Sequence, residues 1–418
     1  MEPGNNRPSN VLMLHLLGRC NLECLHCYME GSPHREEQLP VEPVLRAVGE
    51  CPALGIGALF LTGGEPLLYR DLDQVLEAAA GATGLRTTVC TNGTLLTSRQ
   101  AARFRELGVR LNISIDGRPE FHDRFRNLAG SFRSSERGVQ TAVAYGLPVT
   151  IITTVSRSNL DSLEFMVHWA ADVGAEQFFA QPLLNLGRGA QIASQCLTFD
   201  DVNRMILQLT DLANQPRIRN LKCQVIGANR KFLLQHPCGA YVCNGTSCHR
   251  GVDKEIKKIV VREDGTVLPE VPNLNHRYSL GKIQDGPVSE LLNRYYEHRY
   301  HEFDRLCRAA YAELLPTWDC VIVPWEQIIA ERSQSWIPSQ DCPTTAPECV
   351  SCGSSTYGAW KPPVANSEQQ PANEWADVAA SLPITPILSK AAGSISVRTS
   401  PLRPPELCRF DQCIGKGS

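Results

Sequence analysis

The sequence predicts an α/β protein whose first half is a partial barrel of six β/α units, similar to an incomplete eightfold TIM barrel. Over roughly the first 180 residues, short β-branched and apolar runs alternate with longer segments of helical periodicity. A glycine lies between each helical segment and the next strand, where a left-handed capping conformation is needed. These glycines are Gly55, Gly84, Gly108, Gly146 and Gly174.

The alternation predicts six strands and six helices. The strands are expected at 11–17, 58–62, 86–91, 110–115, 148–155 and 176–181. The helices are expected at 42–50, 71–82, 97–107, 132–145, 162–173 and 200–212. In the fourth helix, Val139, Ala142 and Val143 have the spacing of a face packed on a sheet. Six units are fewer than the eight of a closed barrel, which favours the partial form.

The chain changes character near residue 229. Runs 257–261 and 266–268, separated by an Asp-Gly pair, predict a hairpin, and helical patterns return at 288–306 and 324–332. Beyond residue 352, Pro, Ser, Ala and Gln dominate without periodicity, which predicts a disordered tail. The expected domains are a core at 8–228, a smaller α+β domain at 229–352 and the tail at 353–418.

Composition excludes several classes of protein. The 418 residues include 41 Lys and Arg against 44 Asp and Glu, so no basic field attracts nucleic acid or anionic lipid. No apolar run approaches the ~20 residues of a membrane span, and the first residues, MEPGNNRPSN, lack a signal-peptide core. We therefore expect a cytoplasmic protein with no membrane or nucleic-acid partner. Disulfides are rare in that compartment, so the 17 cysteines indicate metal or redox chemistry.

The strongest motif follows the first predicted strand. The segment CNLECLHCY, residues 20–28, places Cys20, Cys24 and Cys27 in one loop. Soft thiolates suit an iron–sulfur cluster or zinc. Structural zinc normally has four protein ligands, whereas a cluster held by three cysteines leaves one iron open to another molecule. His26 as a fourth zinc ligand, and unrelated buried cysteines, are the alternatives.

This CxxxCxxC loop, with Tyr28 after its last cysteine, resembles the signature of the radical S-adenosylmethionine (radical SAM) superfamily. The resemblance implies a [4Fe-4S] cluster on Cys20, Cys24 and Cys27, with SAM bound to the open iron. It also implies reductive cleavage of SAM to a 5′-deoxyadenosyl radical that abstracts hydrogen from a substrate. The protein would supply geometry and exclusion of solvent.

Three further motifs lie at the predicted strand ends, where a parallel barrel carries its chemistry. TGGEP resembles the family motif that contacts the SAM amino group, and an ordinary Gly-Gly turn is the alternative. TNGTLL is similar to a common family segment, although by itself it predicts only a turn and a helix cap. SIDG followed by HDRFR resembles the peptide-modifying branch, in which the Ser and Arg positions contact the SAM ribose and carboxylate. The expected cofactor-binding residues are Gly63, Gly64, Glu65, Pro66, Asn92, Ser114, Asp116, Arg126 and Tyr28.

Two of these assignments have simple alternatives. Arg126 could form a surface salt bridge instead of contacting SAM. The segment NLGRG, residues 185–189, resembles the end of the family's sixth strand but could equally be a loop with a solvated Arg188.

The second cysteine region resembles a SPASM or twitch domain, which binds auxiliary [4Fe-4S] clusters in this branch. The hairpin and SLGKI, residues 279–283, match, but Glu270 stands where a cysteine is expected. An auxiliary cluster could use Cys238, Cys243 and Cys248 with Cys307 or Cys320, or Glu270 as an oxygen ligand. A clusterless domain and a zinc site are the alternatives.

The resemblance leads to three functional hypotheses. The first is a radical SAM enzyme that modifies a peptide, supplied with electrons by an external flavodoxin- or ferredoxin-type donor. The second keeps the chemistry but acts on a small molecule such as a sugar, an antibiotic intermediate or a tetrapyrrole. The third is a non-catalytic iron–sulfur protein. No general base or radical relay is assigned from the sequence.

Overall fold

The six predicted strands form one parallel sheet in chain order in the computed structural model, which describes residues 10–235, 240 and 256–335. Cys238, Cys243, Cys248 and the predicted tail lie outside the described residues. The strands are β1 Asn10–His15, β2 Ile56–Thr62, β3 Arg86–Thr91, β4 Arg110–Ser114, β5 Val149–Val155, β6 Gln177–Pro182, β7 Lys222–Val225, β8 Ala228–Asn229, β9 Lys258–Val261, β10 Thr266–Pro269, β11 Gly281–Lys282 and β12 Ile322–Val323.

The helices of the first half pair with the strands as predicted, except that a short helix, α4, follows β4 without a sequence prediction. The predicted helix over 288–306 is two helices, because the backbone at Arg299 leaves the helical region with φ −129°. The helices are α1 Val41–Glu50, α2 Leu72–Gly81, α3 Ser98–Glu106, α4 Pro119–Phe125, α5 Ser131–Ala144, α6 Leu163–Asp172, α7 Phe199–Ala213, α8 Arg230–Gln235, α9 Val288–His298, α10 Tyr300–Leu314 and α11 Trp325–Ser335.

The sheet is larger than the sequence predicts. It contains ten strands in the order β11-β10-β9-β1-β2-β3-β4-β5-β6-β7. The predicted hairpin is β9 and β10, and β9 pairs in parallel with β1, with Met13 opposite Val260. β7 adds a further parallel strand beside β6. The hairpin therefore continues the sheet of the first half, a long-range pairing that local sequence does not specify.

The two faces of the sheet differ in chemistry. One face is apolar and packs with the helices, because alternate strand residues such as Leu14, Leu61 and Ile113 are fully buried in the main core. Most of the side chains between them are only partly buried, and many of these are polar. We call this second set the polar face: Phe60, Thr62, Cys90, Asn112, Ser114, Ile152, Thr154, Phe179, Gln181 and Gln224.

All five glycines predicted to link a helix to the next strand have φ between 66° and 82°. The loops after β1, β2, β3 and β4, which carry the sequence motifs, leave the sheet at the same edge because these strands are parallel. No helix within the described ranges combines the length and the apolar character needed to cross a membrane.

Candidate functional site

Cys20, Cys24 and Cys27 lie together in the loop after β1. We call residues 20–31 the cysteine loop. Cys20 and Cys24 are each 8% exposed and pack with Leu22 and the half-buried Cys27 in a small cluster separate from the main core. Burial raises the pKa of Cys20 to about 12 and that of Cys24 to about 11, and the neighbouring thiols add to this rise. In this environment a thiolate needs a positive partner such as a metal.

The three thiols are suitable ligands for an iron–sulfur cluster, because thiolates are the usual protein ligands of such clusters. They are near enough for their charges to interact. Yet no three His, Cys, Asp or Glu side chains in the described ranges are placed to hold one metal ion. In an iron–sulfur cluster each thiolate binds a different iron, so the thiols need not meet at one point. The donor set therefore fits the group that the motif implies.

The TGGEP segment after β2 supports the start of the cysteine loop through its backbone. The Gly64 amide donates to the carbonyl of Leu17 at 2.6 Å, and the Glu65 amide donates to that of Arg19 at 2.9 Å. A Cβ on Gly63 would lie 2.5 Å from the Leu17 oxygen, and one on Gly64 would lie 2.0 Å from the Arg19 oxygen. Both positions therefore require glycine for close packing.

The carboxylate of Glu65 is fully buried and accepts three hydrogen bonds. Oε1 accepts from Thr91 Oγ1 at 2.6 Å and from the Leu67 amide at 3.1 Å, and Oε2 accepts from the Asn92 amide at 2.9 Å. Burial nevertheless raises the pKa of Glu65. The carboxylate joins the ends of β2 and β3, and contact of this residue with the SAM amino group stays a prediction. Pro66 is buried at the start of the short 3-10 turn that Glu65 caps.

Asn92 connects the turn after β3 to the cysteine loop. Its Nδ2 donates to Asn21 Oδ1 at 2.9 Å and lies 3.9 Å from the Cys20 sulfur. Asn21 Nδ2 in turn donates to Thr94 Oγ1 at 2.8 Å. Asn21 was not among the expected site residues, although its position directly after Cys20 indicates that it lies near the site.

Asp116 is the centre of a buried charged network beside Cys24. Its Oδ2 accepts from Arg126 Nε at 2.7 Å, and its Oδ1 accepts from the Thr154 amide at 2.9 Å. The His26 ring lies stacked on Phe125, with Nε2 3.6 Å from Asp116 Oδ2. Burial opposes ionisation of Asp116, but Arg126 and the two nearby histidines hold its pKa below the usual range. Arg126 is thus in a buried ion pair and not in the surface salt bridge that was the alternative.

The same network reaches the thiols of the cysteine loop. Arg126 Nη1 lies 4.0 Å from the Cys24 sulfur. Burial lowers the pKa of His26 to about 4, so this ring, which is between two cysteines in sequence, is neutral near pH 7. Ser114 ends β4 on the polar face, and Tyr28 is half-buried with its ring 6.2 Å from that of His15. Their contacts with SAM stay predictions.

Glu270 lies away from these motifs, directly after β10. It is 2% exposed and has a left-handed backbone with φ 60°. Its carboxylate accepts from the Lys257 amide, and burial raises its pKa to about 7. Cys307 and Cys320 are both buried. The auxiliary cluster stays a prediction, since three of its expected cysteines lie outside the described residues.

Residues 14–170 match the family model of the Radical SAM superfamily. The chain is 35% identical over 191 residues to an AdoMet-dependent heme synthase of Oleidesulfovibrio alaskensis, covering 45% of this chain and 49% of that protein. It is 24% identical over 293 residues to an Fe-coproporphyrin III synthase of Methanosarcina barkeri, covering 67% of this chain and 73% of that protein. It is 30% identical over 179 residues to the sporulation killing factor maturation protein SkfB of Bacillus subtilis, covering 43% of each. The chain spans about half of the length of several such relatives.

Solved structures share the fold. Streptococcus suis SuiB bound to S-adenosylmethionine superposes with a TM-score of 0.56 at 15% identity, covering 72% of this chain and 68% of that one. The structure of anSMEcpe with bound AdoMet and Cp18Cys peptide gives a TM-score of 0.56 at 18% identity, covering 78% and 96%. The predicted α/β fold is confirmed.

Proposed function

Because residues 14–170 are a Radical SAM superfamily domain, we propose that this protein is a radical SAM enzyme that modifies a peptide. The observation that carries the proposal is the convergence of Cys20, Cys24 and Cys27 in one buried cluster at the edge of the sheet that also holds Asn92 and Arg126. When bound, a [4Fe-4S] cluster would supply the electron that splits SAM into methionine and a 5′-deoxyadenosyl radical, which removes a hydrogen atom from the substrate.

The surrounding residues support this chemistry in two ways. Asn92 and Arg126 place an amide and a cation beside the sulfurs of Cys20 and Cys24, at 3.9 Å and 4.0 Å. Contacts of this kind around a cluster's sulfurs set its potential and shield it from solvent. We propose that Ser114 and the backbone of Gly63 and Gly64 orient SAM. The electron would come from an external flavodoxin- or ferredoxin-type donor.

A peptide substrate is supported by the chemistry of the polar face. Near the edge with the cysteine loop, its side chains are neutral hydrogen-bonding groups suited to peptide amides: Thr62, Cys90, Asn112, Ser114, Thr154 and Gln181. SkfB, similar over 43% of this chain, is named as a sporulation killing factor maturation protein. The auxiliary cluster is part of this proposal: it would accept the electron that is released when the substrate is oxidised to product.

A tetrapyrrole is the second candidate substrate. The favouring observation is the similarity to an Fe-coproporphyrin III synthase across 73% of that protein, which extends beyond the radical SAM domain. Carboxylate-rich tetrapyrroles are best held by arginine and lysine side chains, so this candidate requires cations from other parts of the chain.

The first test is the iron and sulfide content of anaerobically reconstituted protein, compared with a Cys20/Cys24/Cys27→Ala triple variant. A Cys196→Ala variant is the control, since this half-buried cysteine lies outside the cysteine loop. About four irons in the wild type and none in the triple variant would support the SAM cluster alone. About eight, with four retained in the triple variant, would add an auxiliary cluster. No iron bound through the three cysteines contradicts the proposal.

A second test addresses turnover and substrate. Reduced wild-type protein should form 5′-deoxyadenosine from SAM, and the triple variant should not; an inactive wild type that retains its cluster favours the non-catalytic hypothesis. The rate is then compared with coproporphyrin III and with a peptide encoded by a short reading frame beside the gene. Stimulation by the peptide supports the first candidate substrate, whereas stimulation by coproporphyrin III alone supports the second.

A further inference from the structure

The loop after β6 lies directly against the cysteine loop. We call residues 185–189 the NLGRG loop. From its sequence, Arg188 could have been a solvated side chain. Instead it is half-buried, and it contacts the cysteine loop at three carbonyl groups.

All three hydrogen bonds come from this one residue. The Arg188 amide donates to the carbonyl of Cys27 at 3.0 Å. Its Nε donates to the carbonyl of Cys24 at 2.8 Å, and Nη2 donates to that of Gly31 at 2.8 Å. Two of these acceptors belong to the expected cluster ligands, and the third is at the end of the loop. Arg188 therefore fixes the second half of the cysteine loop by hydrogen bonds to its backbone.

The neighbouring glycine allows this close approach. Gly187 has φ 55°, and a Cβ there would lie 2.5 Å from the Tyr28 oxygen and 2.6 Å from the Cys27 oxygen. The two loops can therefore meet backbone to backbone only with glycine at this position. The Gly-Arg pair combines a close approach with a guanidinium that satisfies the exposed carbonyls.

Arg188 also acts on the site through its charge. Its guanidinium lies 2.8 Å from the carbonyl oxygens of both Cys24 and Gly31, so its positive charge is held beside the cysteine loop. A positive charge held near a cluster stabilises its reduced, more negative state relative to its oxidised state.

We infer that Arg188 is a positioning residue that holds Cys24 and Cys27 in their ligating arrangement and makes the bound cluster easier to reduce. This inference rests on the proposed function, because it requires an iron–sulfur cluster on the cysteine loop. It assigns to the NLGRG loop a role in both retaining and tuning that cluster.

The test uses the full chain with Arg188→Lys, Arg188→Gln and Arg188→Ala. The matched control is Arg157→Gln, since the Arg157 side chain is 57% exposed and its only described ion pair, to Asp201, is 3.6 Å long. Iron per chain, the rate of iron loss to a chelator and the midpoint potential from an EPR-monitored titration are measured after anaerobic reconstitution. Circular dichroism identifies any variant that does not fold.

Loss of two charge-assisted hydrogen bonds should accelerate iron loss from Arg188→Ala by at least about tenfold. The midpoint potential of the cluster should become more negative in Arg188→Gln and Arg188→Ala. In Arg188→Lys it should stay near the wild-type value, because the positive charge is retained. A merely structural contact would not produce that rescue. The Arg157→Gln control should match the wild type in all three measurements.

The outcomes separate this inference from the proposed function. A wild type without iron contradicts the proposed function itself. A wild type with about four irons, together with Arg188→Gln of unchanged iron loss or unchanged potential, overturns the inference and leaves the proposed function standing. Should Arg188→Ala fail to fold, the comparison of Arg188→Gln with Arg188→Lys still decides the matter.

Discussion

Replacing Glu65 with Gln tests whether this buried carboxylate holds the site together. Glu65 is 0% exposed, and its two oxygens accept from two backbone amides and one hydroxyl. A glutamine side chain keeps one carbonyl oxygen but replaces the other with a donating amide. In either orientation, that amide faces at least one N–H group that can no longer be satisfied.

The expected loss of stability follows from these contacts. A hydrogen bond to a charged group contributes about 1.5–3 kcal/mol, and a buried unsatisfied donor costs about 1–3 kcal/mol. Because such effects are not fully additive, we expect Glu65→Gln to lower the free energy of unfolding by about 2–4 kcal/mol. This corresponds to a fall in Tm of about 2–6 °C, because the entropy of unfolding grows with chain length and is about 0.7–0.9 kcal/mol/K here.

The assay is thermal unfolding by circular dichroism, combined with SAM binding to reconstituted protein by calorimetry. Thr91→Val, which removes the hydroxyl that donates to Glu65 and accepts from the Gly93 amide, should cost about 1–3 kcal/mol. Asp161→Asn is the control, since the Asp161 side chain is 94% exposed, and its Tm should not change. An unchanged Tm in Glu65→Gln, with loss of SAM binding, would refute the reasoning and identify the carboxylate as a direct ligand.

Three further outcomes can be measured by chemical denaturation. Arg126 Nε lies 2.7 Å from Asp116 Oδ2, and Arg126→Ala leaves that carboxylate buried without its partner. The free energy of unfolding should fall by about 3–5 kcal/mol, and a fall below about 1 kcal/mol would contradict the buried ion pair. Burial lowers the pKa of His122 to about 3, so the unfolded state binds more protons than the native state between about pH 6.5 and 3, and the free energy of unfolding falls as the pH decreases. His122→Asn should reduce this dependence on pH by up to about 1.4 kcal/mol per pH unit. The same dependence in the variant and the wild type would contradict this reasoning. Gly138→Ala places a Cβ 2.1 Å from a backbone oxygen of the turn after β3 and should lower the free energy of unfolding by about 1–3 kcal/mol. Gly49→Ala is the control, because a Cβ there meets no atom within 4 Å and should not destabilise the protein. Equal effects of the two substitutions would contradict the close packing at Gly138.

Local patterns in the sequence were sufficient for β1 to β6 and for the helices of the first half other than α4. Alternating apolar residues specify β1 to β6, because the helices that pack on the sheet must bury one apolar face of each strand. The glycines before the strands mark left-handed turns that other residues adopt at a cost. The cysteine spacing and the motifs at the strand ends located the candidate site for the same reason, since parallel strands bring their carboxyl ends to one edge.

The sequence alone did not decide what each motif residue contacts. The motif alone did not show that the Glu65 carboxylate joins two strand ends, where it accepts from the Thr91 hydroxyl and from two backbone amides. Asp116 likewise lies in a buried pair with Arg126, ten residues later, only because α4 turns the chain back over β4. Such pairings depend on approach in space, which local periodicity does not encode.

By itself, the sequence determined the α/β alternation, the spacing of the three cysteines and the resemblance to the radical SAM motifs, because these depend on periodicity, turn chemistry and spacing along the chain. Only the tertiary structure decided that β9 continues the sheet beside β1, that Arg35 of the first loop pairs with Glu263 of the hairpin at 2.8 Å, and that Arg188 holds the cysteine loop. These contacts join residues between 157 and 247 positions apart. Their partners are selected by packing of the whole sheet, and no short segment specifies them.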